Sequence, residues 1–247
     1  MTHLIDDATD PSLTSPGRLP TLIVIGAMKC GTTAVHRYLD AHPRIAMSPG
    51  KELDFFSGVR RHDLTWYASR FDSRSELRGE SSPGYTSPSF PDVAARMAAV
   101  LPGVRLVYLV REPVARAVSQ YWHHRRDGAE RRPLEEALLD EGSQYLARSR
   151  YFERLRPFLH HFDRDQIQVV VQERLQADPA GVMDAVYRHV GADGAEGIQL
   201  SVPPEGRSET ACVSPGLRDR LWERVTADVE RLRDLLGEDL PEWDVAR

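Results

Sequence analysis

The sequence predicts an α/β fold: a central, mostly parallel sheet flanked by helices in three layers. Two observations carry this. Three short, apolar runs, Thr21 to Gly26 (TLIVIG), Arg105 to Val110 (RLVYLV) and Ile167 to Val171 (IQVVV), have the β-branched composition of strands buried on both faces. Helical patterns separate them, and alternating strands and helices build a parallel sheet through crossover connections. The length of 247 residues fits one such core, which stops growing near ~250–300 residues. With 41% hydrophobic and 28% charged residues, the chain has enough apolar material to bury, which excludes wholesale disorder.

Taken in order, residues 1–20 carry Pro11, Pro16, Gly17 and Pro20 among polar residues and read as a loose leader, leaving 21–247 as a single domain. Thr21 to Gly26 is the first strand. A helix is expected from Thr32 to Ala41, stopped by His42-Pro43. Residues 44–90, rich in Ser, Pro, Gly and aromatics, read as an irregular segment of the kind that covers a ligand site. After the turn Pro102-Gly103 comes the second strand. Pro113 then suits the first position of a helix running to about Arg126. A helix around Tyr151 to Phe162 precedes the third strand, and Asp178-Pro179 reads as the cap and first residue of a helix to about Val190. Residues 201–216 form a second irregular stretch. Leu217, Leu221, Val225, Val229, Leu232 and Leu236 then predict one amphipathic helix from Pro215 to Leu236.

Composition narrows the function classes. Lys+Arg 32 against Asp+Glu 37 gives a net charge of −5, so nucleic acid is not an expected partner. Apolar runs such as Leu22 to Ala27 and Leu106 to Val110 fall far short of the ~20 residues of a membrane span. The N-terminus, MTHLIDDATDPSLTSPG, lacks the basic start and apolar stretch of a signal peptide. Two cysteines, Cys30 and Cys212, offer one bridge at most and no disulfide scaffold. A soluble, cytoplasmic protein is expected, and nothing in the sequence signals an oligomeric state.

The sharpest motif is GAMKCGTT, Gly26 to Thr33, lying between the first strand and the first helix. A strand ending in glycine, a tight loop and a helix N-terminus form an anion site, because the first-turn amides are unpaired and the helix dipole favours negative charge. Gly26 and Gly31 match the two glycines of the phosphate-loop pattern G-x-x-x-x-G-K-[ST], which makes the fold P-loop-type. Thr32, however, stands where lysine is expected, and the lysine sits inside the loop at Lys29. A nucleotide kinase would place a carboxylate at a strand end to hold Mg²⁺. Here the second strand runs into Arg111 instead. The site looks built to neutralise anions with Lys and Arg, and no metal is expected.

These residues resemble the sulfotransferases that use 3′-phosphoadenosine 5′-phosphosulfate (PAPS), particularly the heparan-sulfate-type branch and its bacterial relatives. Lys29-Cys30-Gly31-Thr32-Thr33 is similar to that family's K-x-G-T-T loop, Lys51-Glu52 with Phe55-Phe56 to its K-E-x-x-F-F segment, and Gly79-Glu80-Ser81-Ser82-Pro83 with Tyr85 to G-E-x-S-P-x-Y. Arg111-Glu112-Pro113, Arg116-Ala117, Ser119 and Tyr121 resemble R-D/E-P-x-x-R-A-x-S-x-Y. Four motifs in one order, from about residue 21 to 190, are far more specific than any single one, and the likeness returns in the Leu236-Gly237 to Trp243 ending.

The resemblance implies roles. Lys29 would sit on the phosphosulfate bridge and stabilise charge developing on the leaving phosphate. Cys30, Gly31, Thr32 and Thr33 would hold the 5′ side. Arg111 and Ser119 would bind the 3′-phosphate that distinguishes PAPS from ATP, a task suited to the bidentate guanidinium. Glu52 would be the general base, desolvated beside Phe55 and Phe56 and so a better proton acceptor. Lys51 would touch the sulfonate or steer its charge. His36, His123 and His124 are rival bases. Arg116 is either a further phosphate contact or helix surface, and Cys30 could be an activated thiolate at a helix N-terminus.

The stretch Pro203 to Pro215 departs from the family's disulfide-bearing basic loop, keeping only Gly206-Arg207. This leaves Arg207 as a 3′-phosphate candidate and Cys212 without a nearby partner. The expected activity is sulfonyl transfer from PAPS to a hydroxyl of a small bacterial metabolite or saccharide, releasing adenosine 3′,5′-bisphosphate. The alternatives are a small-molecule kinase using ATP and Mg²⁺, or a nucleotide-binding module without turnover.

Overall fold

The computed structural model describes residues 19–193 and 213–244. Its centre is a parallel five-stranded sheet of β1 (Leu22–Gly26), β2 (Ile45–Met47), β3 (Leu77–Ser81), β4 (Arg105–Val110) and β5 (Ile167–Val171), in the spatial order β2-β3-β1-β4-β5. β1 lies between β3 (Val24 beside Ser81) and β4 (Leu22 beside Arg105), and Val110 pairs with Val171 at the outer edge. Every residue of β1 is buried, as is β4 from Leu106 onward. Their unbroken apolar character follows from having a layer on each face.

The chain moves from β1 to β2 in one direction across the sheet, then from β2 through β3 to β4 and β5 in the other. Because parallel crossovers are right-handed, this reversal puts α1 (Thr32–Asp40) on one face and α3 (Val93–Val100) and α7 (Tyr151–His161) on the other. α2 (Leu64–Ala68) lies between β2 and β3, and α4 (Pro113–Arg126), α5 (Leu134–Leu139) and α6 (Gln144–Ala147) lead from β4 towards α7. Beyond β5 come α8 (Gln172–Ala177) and α9 (Pro179–His189), and Tyr187 on α9 donates to the Tyr38 carbonyl of α1 at 2.7 Å. α10 (Pro215–Glu223) and α11 (Thr226–Leu236) complete the described chain, α11 against α7, where Asp228 accepts from the Phe152 and Glu153 amides at 3.0 and 2.9 Å.

The three sequence-predicted strands and the helices opened by Thr32, Pro113, Tyr151 and Pro179 stand within a residue or so of their expected ends. Three expectations need correction. The segment 44–90 holds β2 and β3, the latter hidden because LRGES has no apolar alternation although its last four residues are buried. The terminal helix is two: α10 ends at Glu223 and Val225 (φ −117°, ψ −11°) caps the next, while Leu217, Leu221, Val225, Val229 and Leu232 all remain buried. The stripe was a guide to burial, and continuity did not follow from it. Finally, Pro20 is buried, Leu19 packs on the core, and the Leu19 carbonyl accepts from Arg78 at 3.0 Å, so the domain begins before residue 21. Residues 1–18 of the expected leader, Arg207 and Cys212 lie outside the described residues.

Candidate active site

Parallel α/β sheets bind ligands beyond the carboxyl ends of their strands, where the strand order reverses. Here β1 is the pivot, and the segments following β1, β2, β3 and β4 carry the motif residues. The loop after β1 approaches its neighbours too closely for a side chain at Gly26, where a Cβ would lie 2.2 Å from Thr86 Oγ1. It ends at Gly31, whose φ of 87° glycine adopts without cost, and which serves as the N-cap of α1 with no side-chain cap. No acidic residue occupies the first turn of α1, so its amides present an electropositive face.

Lys29 lies in this loop in left-handed conformation (φ 69°), and its carbonyl accepts from Arg111 Nη1 at 3.3 Å. Arg111, the first residue beyond β4, is therefore tied directly to the phosphate loop. Tyr151 fixes its backbone: the phenol donates to the Arg111 carbonyl at 2.7 Å and accepts from the Arg111 amide at 3.3 Å. The Cys30 thiol turns inward to the same phenol, 3.7 Å away. Burial pushes that thiol up to about 12, against the lowering influence of Arg116, so an activated thiolate is not formed. Arg116 is wholly buried, donating to Ser149 Oγ at 2.6 Å, Gln120 at 2.8 Å and the Tyr145 carbonyl, so it is neither helix surface nor turned to the loop's open face. Ser119 is half-buried on α4, two turns from its start.

The segment after β2 brings a second lysine to the loop. Lys51 Nζ donates to Thr33 Oγ1 at 2.7 Å and reaches Thr32 Oγ1 at 3.4 Å, placing an ammonium over the N-terminus of α1. Burial lowers its pKa, Glu52 opposes this, and Arg37 and Lys29 add to it, as expected where cations are gathered. His36 on α1 lies beside this group, its Nδ1 3.0 Å from Ser81 Oγ, and burial followed by Lys51 lowers its pKa and favours the neutral ring. His123 and His124 sit on the last turn of α4, where His124 Nδ1 is 3.0 Å from the Tyr145 hydroxyl.

Glu52 is exposed, which corrects the expected desolvation: Phe55 stacks on Tyr67 (centroids 4.2 Å apart) and Phe56 packs edge-on to Tyr67 and Tyr85. Glu52 and Asp54 both have left-handed backbones, φ 62° and 51°. The buried carboxylate behind this segment is Glu80. It accepts from Tyr67 at 2.5 Å, Ser82 at 2.7 Å and Tyr85 at 2.9 Å, and burial pushes its pKa up to about 6 against the pull of those hydroxyls. The same Ser82 and Tyr85 oxygens accept from the Asp54 and Phe56 amides at 3.1 and 3.4 Å, while the Glu52 amide donates to the Ser81 carbonyl at 2.8 Å. The G-E-x-S-P-x-Y stretch is thus the clamp that holds the Glu52 segment.

The structure brings Lys29, Gly31, Thr32, Thr33 and Arg111 to one sheet edge, with Lys51 and His36 beside them. The contact of Lys51 with α1 was invisible in the sequence because it depends on β2 and β3, and Tyr151 gave no motif signal. Among the described residues no cluster of His, Cys, Asp or Glu is placed to hold a metal ion, and no helix is long and apolar enough to cross a membrane.

Comparison with known proteins agrees with this geometry. The sulfotransferase domain family model matches residues 19–202. Heparan sulfate glucosamine 3-O-sulfotransferase 3A1 of Mus musculus is 30% identical over 184 residues, covering 70% of this chain and 46% of that protein. The membrane-associated sulfotransferase kil1 of Dictyostelium discoideum is 38% identical over 106 residues, 42% of this chain and 22% of its own length. The chain spans less than half the length of these curated relatives. A solved sulfotransferase from Alicyclobacillus acidocaldarius superposes with a TM-score of 0.79 at 27% identity, over 91% of this chain and 98% of its own. A mouse sulfotransferase complexed with PAP shares the fold, with a TM-score of 0.56 at 13% identity. The β1 loop with its displaced lysine, the arginine ending β4 and these matches together place the chain in the sulfotransferase domain family.

Proposed function

We propose that this protein transfers a sulfonyl group from PAPS to a hydroxyl of a small bacterial metabolite or saccharide, working in the cytoplasm. The observation that carries this reading is the convergence of Lys29, Lys51 and Arg111 on a helix N-terminus free of first-turn acids. In the proposed reaction the acceptor oxygen attacks sulfur in line. The bond between sulfur and the bridging phosphate oxygen breaks, and the acceptor proton passes to Glu52. Lys29, with Lys51 across the loop, stabilises the negative charge growing on the departing phosphate, while the amides and hydroxyls of Gly31, Thr32 and Thr33 hold the 5′ side, beside Cys30. Arg111 and Ser119 take the 3′-phosphate, with Arg207 a further candidate. Charge neutralisation by Lys and Arg supplies the stabilisation in this scheme. An exposed Glu52 suits the role, because a bound acceptor would cover it.

The test is calorimetric titration with adenosine 3′,5′-bisphosphate, in parallel with ATP·Mg²⁺, on the wild type and on Arg111→Ala. Bisphosphate binding that is lost in the variant and absent for ATP is the expected result. A preference for ATP·Mg²⁺ would overturn the donor assignment in favour of a kinase.

A further inference from the structure

Arg148 follows α6 and lies against the phosphate loop, with Nη1 3.9 Å from Met28 Sδ. Its guanidinium is largely enclosed. Nε is fully buried with no hydrogen-bond partner, and no carboxylate among the described residues forms an ion pair with it. The charge that opposes this burial is Asp54, in the Glu52 segment, while the Arg116 charge that also acts on it is of the same sign. Burial, then Arg116, lower its pKa to about 10. A largely enclosed guanidinium with no carboxylate partner is costly, because its desolvation is not offset by Coulombic attraction, and buried arginines are normally paired. Arg148 therefore stands between the phosphate loop and the segment bearing Glu52 with binding capacity that the protein itself leaves unused.

We propose that Arg148 is a binding residue of this site and takes an oxyanion. Two sources share that chemistry: the sulfonate of the donor, or a carboxylate or sulfate carried by the acceptor. The inference rests on the PAPS reading above and gives it an acceptor-side consequence: in the second case the preferred hydroxyl acceptor is anionic.

Inorganic sulfate is the probe, titrated into wild type, Arg148→Met and Arg148→Lys, each loaded with adenosine 3′,5′-bisphosphate. Wild type should bind sulfate, Arg148→Met at least about tenfold more weakly, and Arg148→Lys in between, as expected for loss of a charge-assisted contact. The ligand-free Arg148→Met protein should melt no lower than wild type, since an unpaired buried charge has been removed. PAPS loading separates the sources. If it blocks sulfate, and PAPS but not the bisphosphate binds Arg148→Met weakly, the donor sulfonate is the ligand; if sulfate still binds, the acceptor's anion is. Equal sulfate binding by wild type and Arg148→Met, or a lowered melting temperature with bisphosphate binding also lost, would overturn the proposal. Wild type that failed to bind the bisphosphate would instead overturn the donor reading, and this inference with it.

Discussion

Lys29 reaches the phosphate loop from a left-handed backbone, and its carbonyl is bound by Arg111, so two cations are located by one short stretch of chain. Replacing Lys29 by Ala should lower kcat by about 10²–10³, the usual loss when one preorganised donor to a developing charge is removed. Steady-state kinetics with PAPS varied would check this, and near-wild-type turnover would remove Lys29 from the chemistry. Glu52→Gln should lower kcat with little change in the KM for PAPS, because in the proposed reaction the carboxylate takes the acceptor proton; an unchanged kcat would move attention to His36, 3.0 Å from Ser81. Lys29, Glu52 and Arg111 were legible as candidates because each lies in a short motif whose spacing survives without the fold. Lys51 was legible as a residue but its partner was not, since 18 residues separate it from Thr33. Arg148, in the stretch LARSRY, lies in none of the motifs, and only its enclosure distinguishes it.

β3 is the element where motif and strand coincide. Its residues Glu80 and Ser81 are wholly buried polar groups, which is why the strand escaped a reading based on apolar alternation. Glu80 organises the segment bearing Glu52, since its three hydroxyl donors include the two that fix the Asp54 and Phe56 amides. This burial makes stability depend on pH. A carboxyl whose folded pKa is raised, here from 4.5 to about 6, binds its proton more tightly in the folded state than in the unfolded state. Its contribution to stability is therefore full below the unfolded value, and is lost as pH rises through the folded one. The shift corresponds to about 2 kcal/mol between pH 4 and pH 7. Thermal unfolding across that range should show a flatter pH dependence for Glu80→Gln than for wild type, and parallel curves would contradict the assignment. The split between α10 and α11 makes the complementary point: apolar spacing told which side is buried, while the break at Val225 is a matter of local backbone geometry.

At the scale of the molecule, a chain of net charge −5 gathers Lys29, Lys51, Arg37 and Arg111 around one sheet edge. Binding of adenosine 3′,5′-bisphosphate should weaken steadily as salt is raised, because a local cationic site is screened whatever the total charge. Titration at several NaCl concentrations would check it, and salt-independent binding would argue against a multiply charged ligand. The α/β class and the site's position at the strand ends were legible from three buried runs and one loop. The five-strand order was not, because β2 has only three residues and β3 is written largely in polar ones.

The left-handed backbones at Lys29, Glu52 and Asp54 have an evolutionary consequence. Glycine or asparagine would suit each of these positions better as backbone, so the side chains persist there only while they are useful. A lineage released from selection for turnover could drift to glycine at these positions while gaining stability. Its descendants would keep the sheet and the nucleotide cradle after losing the chemistry. A relative with glycine at the Lys29 and Glu52 positions is therefore expected to be a well-folded binding protein without turnover.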